Sequence, residues 1–557
     1  MSVLEQFKQN LQQELTRAIE RAGLVESGQI PDIMLEIPKE KEHGDLSTNI
    51  AMQLTRIARR NPREIASAIV EHFDQAEAGI DKVEIAGPGF INFFTNKCYL
   101  YDVIREAIGQ GERYGSSDIG GGQSVQVEFV SANPTGSLHL GHARGAAVGD
   151  ALCNVLEFAG YKVTREYYIN DAGNQVDNLA LSLEARYLQA LGEEAEMPAD
   201  GYYGDDIKEF AQELVEKEGR RLLDLPQEER FKFFREYALT RELDKIRRDL
   251  ERFGVHFDVW YSETSLYKEG KVEAVLDELK AKGHVYEQDG AVWLKTTPHG
   301  DDKDRVLVKQ DGSYTYLTPD IAYHKEKFAR GFERLINIWG ADHHGYIPRL
   351  KAAVSALGFD AERLEILIVQ MVSLYQGGEK VKMSKRTGKA VTLEELVDEV
   401  GKDAVRYFFT MRNTDTHLDF DLDLAVSRSN DNPVYYVQYA HARICSIFRQ
   451  AEEQGIRVKP VEEVDLSALD KEAEFDLMMK MGEFKSEVEA AAEQRAPHRI
   501  VRYVYELASM FHSYYRAERV IGADEKEMQA RFALLAAIRT VIHNALRLIG
   551  VSAPDKM

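Results

Sequence analysis

The sequence predicts a doubly wound α/β domain on a parallel sheet, flanked by an N-terminal α+β module and a C-terminal all-α domain. A strand–loop–helix–strand unit in residues 124–169 indicates the central fold, because its first strand alternates polar and apolar residues and its helix is rich in small residues. Short apolar runs at 335–338 and 366–369 are typical of further buried parallel strands. From about residue 431 onward, apolar residues recur at helical spacing. These observations favour a Rossmann-like central sheet.

The first part of the chain is predicted to fold separately as the α+β module. A stripe of apolar residues at helical spacing predicts its first helix: Leu4, Phe7, Leu11, Leu15 and Ile19. Ile33, Leu35 and Ile37 occupy every second position, which predicts a strand. We therefore expect a module at 1–112, a Gly/Ser-rich link at 115–122, a central domain at 120–428 with a charged, mostly helical insertion at about 185–257, and a helical domain at 429–557.

The loop after the first central strand carries the motif His139-Leu140-Gly141-His142 at a predicted helix start. A helix N-terminus attracts phosphate through its unpaired N–H groups and macrodipole, and imidazoles there can donate to phosphate oxygens. Gly141 would let a nucleotide approach the backbone closely. A zinc pair is the alternative, but zinc needs further ligands, and the nearest cysteine, Cys153, falls inside the helix pattern. The motif is therefore predicted to bind nucleotide phosphates.

A second motif, Lys382-Met383-Ser384-Lys385, lies in a glycine-flanked segment with five cationic residues between Lys380 and Lys389. The segment predicts a mobile basic loop that closes over a triphosphate and neutralises the leaving pyrophosphate. Thr392 and Glu395 form a capping box that starts the next helix. The alternative, a solvated charge run, is disfavoured because the segment follows a strand. We expect both motifs to lie beyond the carboxyl ends of strands of the open sheet, where such folds bind ligands.

Together and in this order, the two motifs resemble the signature pair of class I aminoacyl-tRNA synthetases. Longer stretches resemble arginyl-tRNA synthetases, and the resemblance runs from the first residues to Met557. The segments that carry it are 87–92, 127–136, 168–175, 316–320, 403–406 and 550–554. The resemblance implies ATP-dependent ligation of L-arginine to the 3′ end of tRNA(Arg) through an arginyl-adenylate, with release of AMP and diphosphate.

The resemblance also implies an arginine site. Its residues are Glu128, Ser131, Asn133, His139, Tyr316, Asp320 and His343. A guanidinium is planar, always charged and offers a fork of donors, which a carboxylate can meet in paired, charge-assisted bonds. Of Glu128 and Asp320, one would meet the guanidinium and the other the α-ammonium. The sequence leaves this assignment open and favours Asp320 for the guanidinium.

For ATP, the resemblance implies His139, His142, Lys382 and Lys385 as catalytic residues. Gly141, Met383 and Ser384 complete the expected ATP site, with ATP as a substrate alongside Mg²⁺ and no structural metal. The chain departs from the usual class I loop in having Arg386 in place of a final serine, which adds charge and is expected to be tolerated. Catalysis would rest on positioning and electrostatics, because the amino-acid carboxylate itself attacks the α-phosphate.

Candidate tRNA-binding residues lie near the start of the helical domain. Tyr435 and Tyr439 cluster with Arg443, and aromatic rings beside cations suit single-stranded anticodon bases. The alternative is that the tyrosines belong to the helix core, and the sequence leaves both open. By resemblance, the N-terminal module would contact the tRNA elbow and the insertion would lie near the acceptor stem.

Composition bounds the remaining possibilities. The 557 residues imply several domains, and the net charge of −23 requires that an RNA-binding surface concentrate its positive charge in patches. No run reaches the roughly 18 apolar residues of a spanning helix, no secretory signal is evident, and the three cysteines are scattered. We expect a cytoplasmic monomer with no membrane or DNA partner.

Three alternatives to this hypothesis remain. A class I synthetase for another amino acid would share both motifs but lack the pairs Glu128/Asn133 and Tyr316/Asp320. A non-catalytic tRNA-binding paralogue could lose His142 or Lys385 freely, although both are present. A simple nucleotidyltransferase would need no C-terminal helical domain. The absence of G-x-G-x-x-G and G-x-x-x-x-G-K-[ST] argues against a dinucleotide enzyme or a P-loop NTPase.

Overall fold

The structure, a computed structural model, describes residues 1–26, 28–381 and 391–557. Its N-terminal part contains α1 (Val3–Arg21), β1 (Leu46–Thr48), α2 (Ile50–Gln53), α3 (Thr55–Ala58), α4 (Pro62–His72), β2 (Ile80–Ala86) and β3 (Phe90–Thr95). The three strands form an antiparallel sheet in the order β1–β3–β2. The predicted first helix is confirmed. Ser2 and Glu5 form a capping box at the start of α1, and the helix buries most of the predicted apolar residues.

The strand predicted at Ile33, Leu35 and Ile37 is wrong. The segment makes one isolated bridge, from Glu36 to Ser47, and Ile37 is 63% exposed. Pro31 and Pro38 flank the segment, and each lacks the N–H group that a continuing strand ladder would need.

The helix α5 (Tyr101–Gln110) follows the N-terminal sheet. Its buried residues Val103, Ile104 and Ala107 join the large apolar cluster that contains the C-terminal helices. The Gly/Ser-rich link is closely packed, because a side chain at Gly115 would meet the ring of Phe484. The link therefore packs directly against the C-terminal helices.

The central part of the chain is built around five parallel strands. Its elements are β4 (Ser124–Glu128), α6 (Leu140–Phe158), β5 (Lys162–Ile169), α7 (Asn174–Ala190), α8 (Asp205–Glu218), α9 (Gln227–Arg252), β6 (Val259–Ser262), α10 (Glu263–Lys268), α11 (Lys271–Ala281), β7 (Val285–Gln288), β8 (Ala291–Leu294), β9 (Arg305–Val308), α12 (Leu317–Ala329), β10 (Arg334–Gly340), α13 (Ile347–Ala356), β11 (Leu364–Val369), β12 (Val372–Gln376), β13 (Glu379–Val381), α14 (Leu393–Val400), α15 (Lys402–Thr410), β14 (Leu418–Asp421) and α16 (Leu422–Val426).

The main sheet has the order β11–β10–β4–β5–β6 with all neighbours parallel, which confirms the predicted fold class. The chain runs from β4 outward to β6 on one side and returns to β10 on the other. The strand order therefore switches between β4 and β10, where Glu128 and Asn337 are register partners. A crevice at such a switch point is the expected ligand site. The helices α7, α8 and α9 pack around a separate apolar cluster.

The second motif lies in a setting that the sequence did not predict. After β11, two strands of a separate sheet intervene, in the order β13–β12–β14. Gly377 and Gly378 have φ of +60° and +79°, and they reverse the chain between β12 and β13. The strand directly before this motif is therefore β13 of the separate sheet, not β11 of the parallel sheet. Residues 382–385 themselves lie outside the described residues.

The C-terminal part is helical, as predicted. It consists of α17 (Pro433–Glu453), α18 (Glu472–Gly482), α19 (Phe484–Glu493), α20 (His498–Ala517) and α21 (Glu525–Leu548). The core face predicted for the last helix is buried. Among the described helices, none combines the length and the apolar character that crossing a bilayer requires.

Candidate active site

A cavity of about 1030 Å³ opens at the switch point between β4 and β10. Nine residues predicted from the sequence line it: Glu128, Ser131, Asn133, His139, Gly141, His142, Tyr316, Asp320 and His343. The structure therefore brings the predicted arginine site and the first motif into one space. Lys382, Met383, Ser384 and Lys385 lie outside the described residues.

The first motif forms the N-terminus of α6. His139 is the capping residue, and its Nδ1 accepts a hydrogen bond from the Gly141 N–H at 3.1 Å. Nδ1 of His142 accepts from the His139 N–H at 3.3 Å, and the two rings stack with centroids 3.6 Å apart. Because Nδ1 accepts in both rings, a neutral ring carries its proton on Nε2. Both histidines can then donate through Nε2–H.

The charge state of the pair follows from its burial. Burial lowers the pKa of His139, and burial together with the neighbouring His139 lowers the pKa of His142 to about 4. Both rings are therefore neutral near pH 7. Neutral donors at a helix N-terminus can stabilise negative charge that develops on a phosphate, without a permanent cation at this point.

A strained turn connects β4 to the cavity. Val130 has φ of +67° and Ser131 has φ of +41°. A left-handed β-branched residue is rare and costs on the order of 1–3 kcal/mol, which the surrounding structure must offset. The turn directs the Ser131 hydroxyl to donate to Glu128 Oε1 at 3.0 Å and to accept from the Tyr168 N–H at 3.1 Å. It thereby fixes one oxygen of Glu128.

Two carboxyl groups mark the opposite end of the cavity. Asp320 lies in the first turn of α12 and accepts a hydrogen bond from the Tyr346 hydroxyl at 2.6 Å. Burial raises its pKa to about 7. Glu263 begins α10, and burial followed by the charge of Asp320 raises its pKa to about 7. Neither carboxyl group forms an ion pair with any residue that the structure describes. Such a site favours a cationic ligand.

Sequence reasoning missed Glu263 as a site residue. The residue directly follows β6, so it lies at the carboxyl end of a parallel strand, where ligands of open sheets bind. That position was the available signal, but β6 is short and was not recognised. Lys327, which pairs with Glu128 at 2.5 Å, was also missed because the two residues are about 200 positions apart in the chain.

Tyr316 and His343 lie at the mouth of the cavity rather than at its floor. Tyr316 is 82% exposed, and His343 faces Asp342 at 3.8 Å. Asn133 accepts a hydrogen bond from the Asn170 side chain at 3.1 Å. These three residues line the cavity where a ligand would bind, and the Tyr316 carbonyl also accepts a hydrogen bond from the Asp320 N–H at 3.4 Å.

The described residues after the second motif lie against the first motif. His139 and Thr392 form an isolated antiparallel bridge, and the Leu393 N–H donates to the Leu138 carbonyl at 2.8 Å. Thr392 and Glu395 form the predicted capping box at the start of α14. Thr392 and the start of α14 therefore lie directly beside the histidine pair.

The zinc alternative for the histidine pair finds no support in the described parts of the chain. Within those parts, the clusters of possible metal ligands lie elsewhere, at His441, Cys445 and Asp555 and at Glu40, Glu42 and His43. No described cysteine or further histidine completes a tetrahedral set around His139 and His142.

A smaller pocket of about 240 Å³ lies at the start of α17. It is lined by Asn430, Tyr436, Tyr439, Arg443, His512, Tyr515 and Arg516. Tyr435 stacks on Tyr439 with centroids 5.8 Å apart, and the Arg443 guanidinium lies 4.5 Å from the centre of the Tyr439 ring. Tyr435 and Tyr439 are only half-buried and take no part in the apolar clusters. This favours a ligand-facing position over a place in the helix core.

Comparisons with known proteins agree with this architecture. Family models match residues 6–95 (arginyl tRNA synthetase N terminal domain), 103–430 (tRNA synthetases class I (R), catalytic domain) and 437–557 (DALR anticodon binding domain). The arginine–tRNA ligases of Bacillus licheniformis and Bacillus subtilis are 62% and 60% identical, with both chains covered completely. A Thermus thermophilus arginyl-tRNA synthetase structure has the same fold, with 22% identity and a TM-score of 0.70 over 98% of this chain and 99% of its own. This chain therefore belongs to the arginyl-tRNA synthetase family.

Proposed function

We propose that this chain ligates L-arginine to the 3′ end of tRNA(Arg) with ATP, through an arginyl-adenylate and with release of AMP and diphosphate. One observation carries the proposal. A single cavity holds a pair of neutral histidine donors at a helix N-terminus and, at its other end, two carboxyl groups without a cationic partner among the described residues. The substrate required is an amino acid with a cationic side chain, activated by a nucleotide.

At the acidic end, Asp320 and Glu263 would receive the guanidinium of arginine. A planar fork of donors can satisfy two carboxylates at once, and the permanent charge would offset their burial. Glu128, with Ser131 and Asn133 beside it, would hold the α-ammonium. Tyr316 would close the pocket from its rim, and His343 would lie beside the adenosine and amino acid.

At the phosphate end, His139 and His142 would donate through Nε2–H to oxygens of ATP. The arginine carboxylate attacks the α-phosphate, so the phosphorus–oxygen bond to pyrophosphate breaks and the adenylate forms. The histidine donors would strengthen as charge develops, which lowers the barrier without an intrinsic base. Gly141 leaves the helix start open to the nucleotide. Lys382 and Lys385, with Met383 and Ser384 between them, would neutralise the departing pyrophosphate.

ATP would enter with Mg²⁺ held mainly by its phosphate oxygens and water, because this cation prefers oxygen ligands and histidine N–H groups offer none. In the second step, the 2′-hydroxyl of the terminal tRNA ribose attacks the carbonyl of the adenylate and AMP leaves. Positioning of the two reactants supplies much of the rate in both steps.

For tRNA, the pocket around Tyr439 and Arg443 would receive an anticodon base, with Tyr435 extending the stack. The N-terminal module would contact the tRNA elbow, and the helical insertion would lie near the acceptor stem. The domain bounds of 1–112, 120–428 and 429–557 belong to this proposal. We further propose a cytoplasmic monomer that binds neither membrane nor DNA.

The test is to charge bulk bacterial tRNA with each of the twenty amino acids, at low and at moderate salt. Incorporation of arginine alone is expected, and it should weaken with salt because phosphate contacts release counter-ions. Charging with a different amino acid would keep the chemistry but overturn the pocket assignment. No charging, with intact ATP binding, would favour a non-catalytic paralogue.

A further inference from the structure

Lys327 is a fully buried cation directly behind the cavity. Its ammonium donates to Glu128 Oε2 at 2.5 Å and to Asn337 Oδ1 at 2.9 Å, and it lies 4.4 Å from the centre of the Tyr323 ring. Its side chain has no exposed surface. Burying an ammonium is costly unless the charge is paired and hydrogen-bonded, so this residue is held here by its partners.

The hydrogen bonds continue from Lys327 toward Asp320. The Asn337 amide lies 2.8 Å from Nε2 of His324, and Nδ1 of His324 lies 2.7 Å from the Asp320 carbonyl. Burial lowers the pKa of His324 to about 3, so the ring is neutral. A neutral ring that donates from Nδ1 must accept at Nε2, and the Asn337 amide supplies that donor. These hydrogen bonds therefore fix the tautomer of His324 and the orientation of the Asn337 amide.

The three carboxyl groups of the pocket differ in their partners. Glu128 has both oxygens engaged, Oε2 by Lys327 and Oε1 by Ser131. Asp320 and Glu263 have hydroxyl partners but no cation among the described residues. The protein itself therefore neutralises one carboxylate and leaves the other two to the substrate.

We propose that Lys327 is a positioning residue that determines which way arginine binds. By neutralising and fixing Glu128, it leaves Asp320 and Glu263 as the strongest attraction for the permanently charged guanidinium. Glu128 then serves as an oriented acceptor for the α-ammonium and cannot compete for the guanidinium. The carboxylate of arginine is thereby directed toward the histidine pair. This inference rests on the proposed function and adds a determinant of substrate orientation to it.

The test compares Lys327→Met, Glu128→Gln and the double variant in tRNA aminoacylation. The Lys327→Met change should raise the KM for arginine by about tenfold or more and leave the KM for ATP within about twofold, because it leaves Glu128 buried without its counter-ion. The inhibitor 5-guanidinopentanoate, which lacks only the α-ammonium, should keep its inhibition constant within about threefold. A merely structural role would weaken both ligands together.

The double variant gives the decisive comparison. If Lys327 acts through Glu128, the two losses should not add, and the KM for arginine of Glu128→Gln/Lys327→Met should be no more than about twofold above that of Glu128→Gln alone. This comparison survives even if Lys327→Met fails to fold, because the double variant buries an uncharged pair. Lys325→Met is the matched control, since Lys325 lies on the same helix and pairs with Glu278 away from the cavity. It should behave as the parent chain.

Each result has a distinct meaning. Additive effects in the double variant, or equal losses for arginine and 5-guanidinopentanoate, would overturn the role of Lys327. An arginine KM in Glu128→Gln equal to that of the parent would instead show that Glu128 does not hold the ammonium, which is a failure of the pocket assignment. Failure of the parent chain to charge tRNA with arginine would overturn the proposed function itself.

Discussion

The two ends of the cavity handle charge in opposite ways. At the α6 end, the histidine pair is held neutral, with each Nδ1 engaged by a backbone N–H and each pKa lowered by burial. At the α12 end, burial raises the pKa of Asp320 and of Glu263, and no described cation pairs with either. The α6 end offers uncharged hydrogen-bond donors. The α12 end offers carboxyl groups that are partly protonated near pH 7 when no cationic ligand is bound.

This difference matches the lifetimes of the charges that each end would meet. A guanidinium is charged before, during and after the reaction, so a permanent counter-charge can serve for its recognition. Negative charge on the α-phosphate grows as the bond to pyrophosphate breaks. Groups that respond to developing charge favour the transition state over the bound substrate, which is the condition for a higher kcat.

The largest expected effect is at the acidic end. Asp320→Asn should raise the KM for arginine by roughly 10²- to 10³-fold, because it removes one partner of a desolvated charge pair. The KM for ATP should stay nearly unchanged, and steady-state aminoacylation measures both. Asp342→Asn is the matched control, since Asp342 lines the same cavity but is exposed. An unchanged KM for arginine in Asp320→Asn would show that Asp320 does not bind arginine, and the contrast between the two ends of the cavity would be wrong.

The second effect belongs to the phosphate end. Lys385→Ala should lower kcat by on the order of 10² or more with little change in the KM for arginine, because a donor to the leaving group acts mainly in the transition state. Single-turnover formation of charged tRNA would measure it. Lys380→Ala, an exposed lysine on β13, is the control and should retain the parent rate. A parent rate in Lys385→Ala would show that the basic segment takes no part in the chemistry.

A smaller effect is expected outside the cavity. Tyr439→Ala should raise the KM for tRNA by roughly 10- to 30-fold, because a stacked base loses its aromatic platform. The KM values for arginine and ATP should not move. Tyr439→Phe keeps the ring and loses only the hydroxyl that accepts from Arg443 at 3.2 Å, so it should retain most of the affinity. Equal tRNA affinity in all three chains would favour the core alternative for this tyrosine.

Much of the architecture was predictable because its signals are local. The strand–loop–helix–strand unit from β4 to β5, the capping box at Thr392 and the apolar face of the last helix all follow from spacing and capping residues. The strand at Ile33 failed because alternation ignores the prolines on either side. The hairpin at Gly377 and Gly378 was missed although paired glycines are a hairpin signal.

The site was less predictable than the fold, for a physical reason. The resemblance supplied nine of the lining residues, but it left the assignment of Glu128 and Asp320 open, with Asp320 only favoured for the guanidinium. Their difference depends on Lys327, which is about 200 residues from Glu128 in the chain. Lys327 lies on α12, and only the folded chain brings that helix to the end of β4. Charge state depends on such long-range packing, so it could not be read from spacing.

The smallest predicted effect, about tenfold, tests the charge state directly. Since the pKa of Asp320 is raised to about 7 in the arginine-free protein, most of its carboxyl groups are protonated at pH 6 and ionised at pH 8. Bound guanidinium favours the ionised form, so arginine binding releases protons and its affinity should rise about tenfold from pH 6 to pH 8.

The titratable groups that face Asp320 are Tyr168, Tyr267, Tyr346, Glu128, Glu263 and Lys327 in the described part of the chain. Isothermal titration calorimetry at pH 6 and pH 8 measures how the affinity for arginine changes with pH. Asp320→Asn should reduce the pH dependence of arginine affinity and leave the part due to Glu263. His142 should add nothing, because its pKa of about 4 keeps the ring neutral from pH 6 to pH 8. If the affinity of the parent chain for arginine does not change between pH 6 and pH 8, both carboxyl groups are already ionised before arginine binds. The acidic end would then carry a permanent negative charge and would not respond to its ligand.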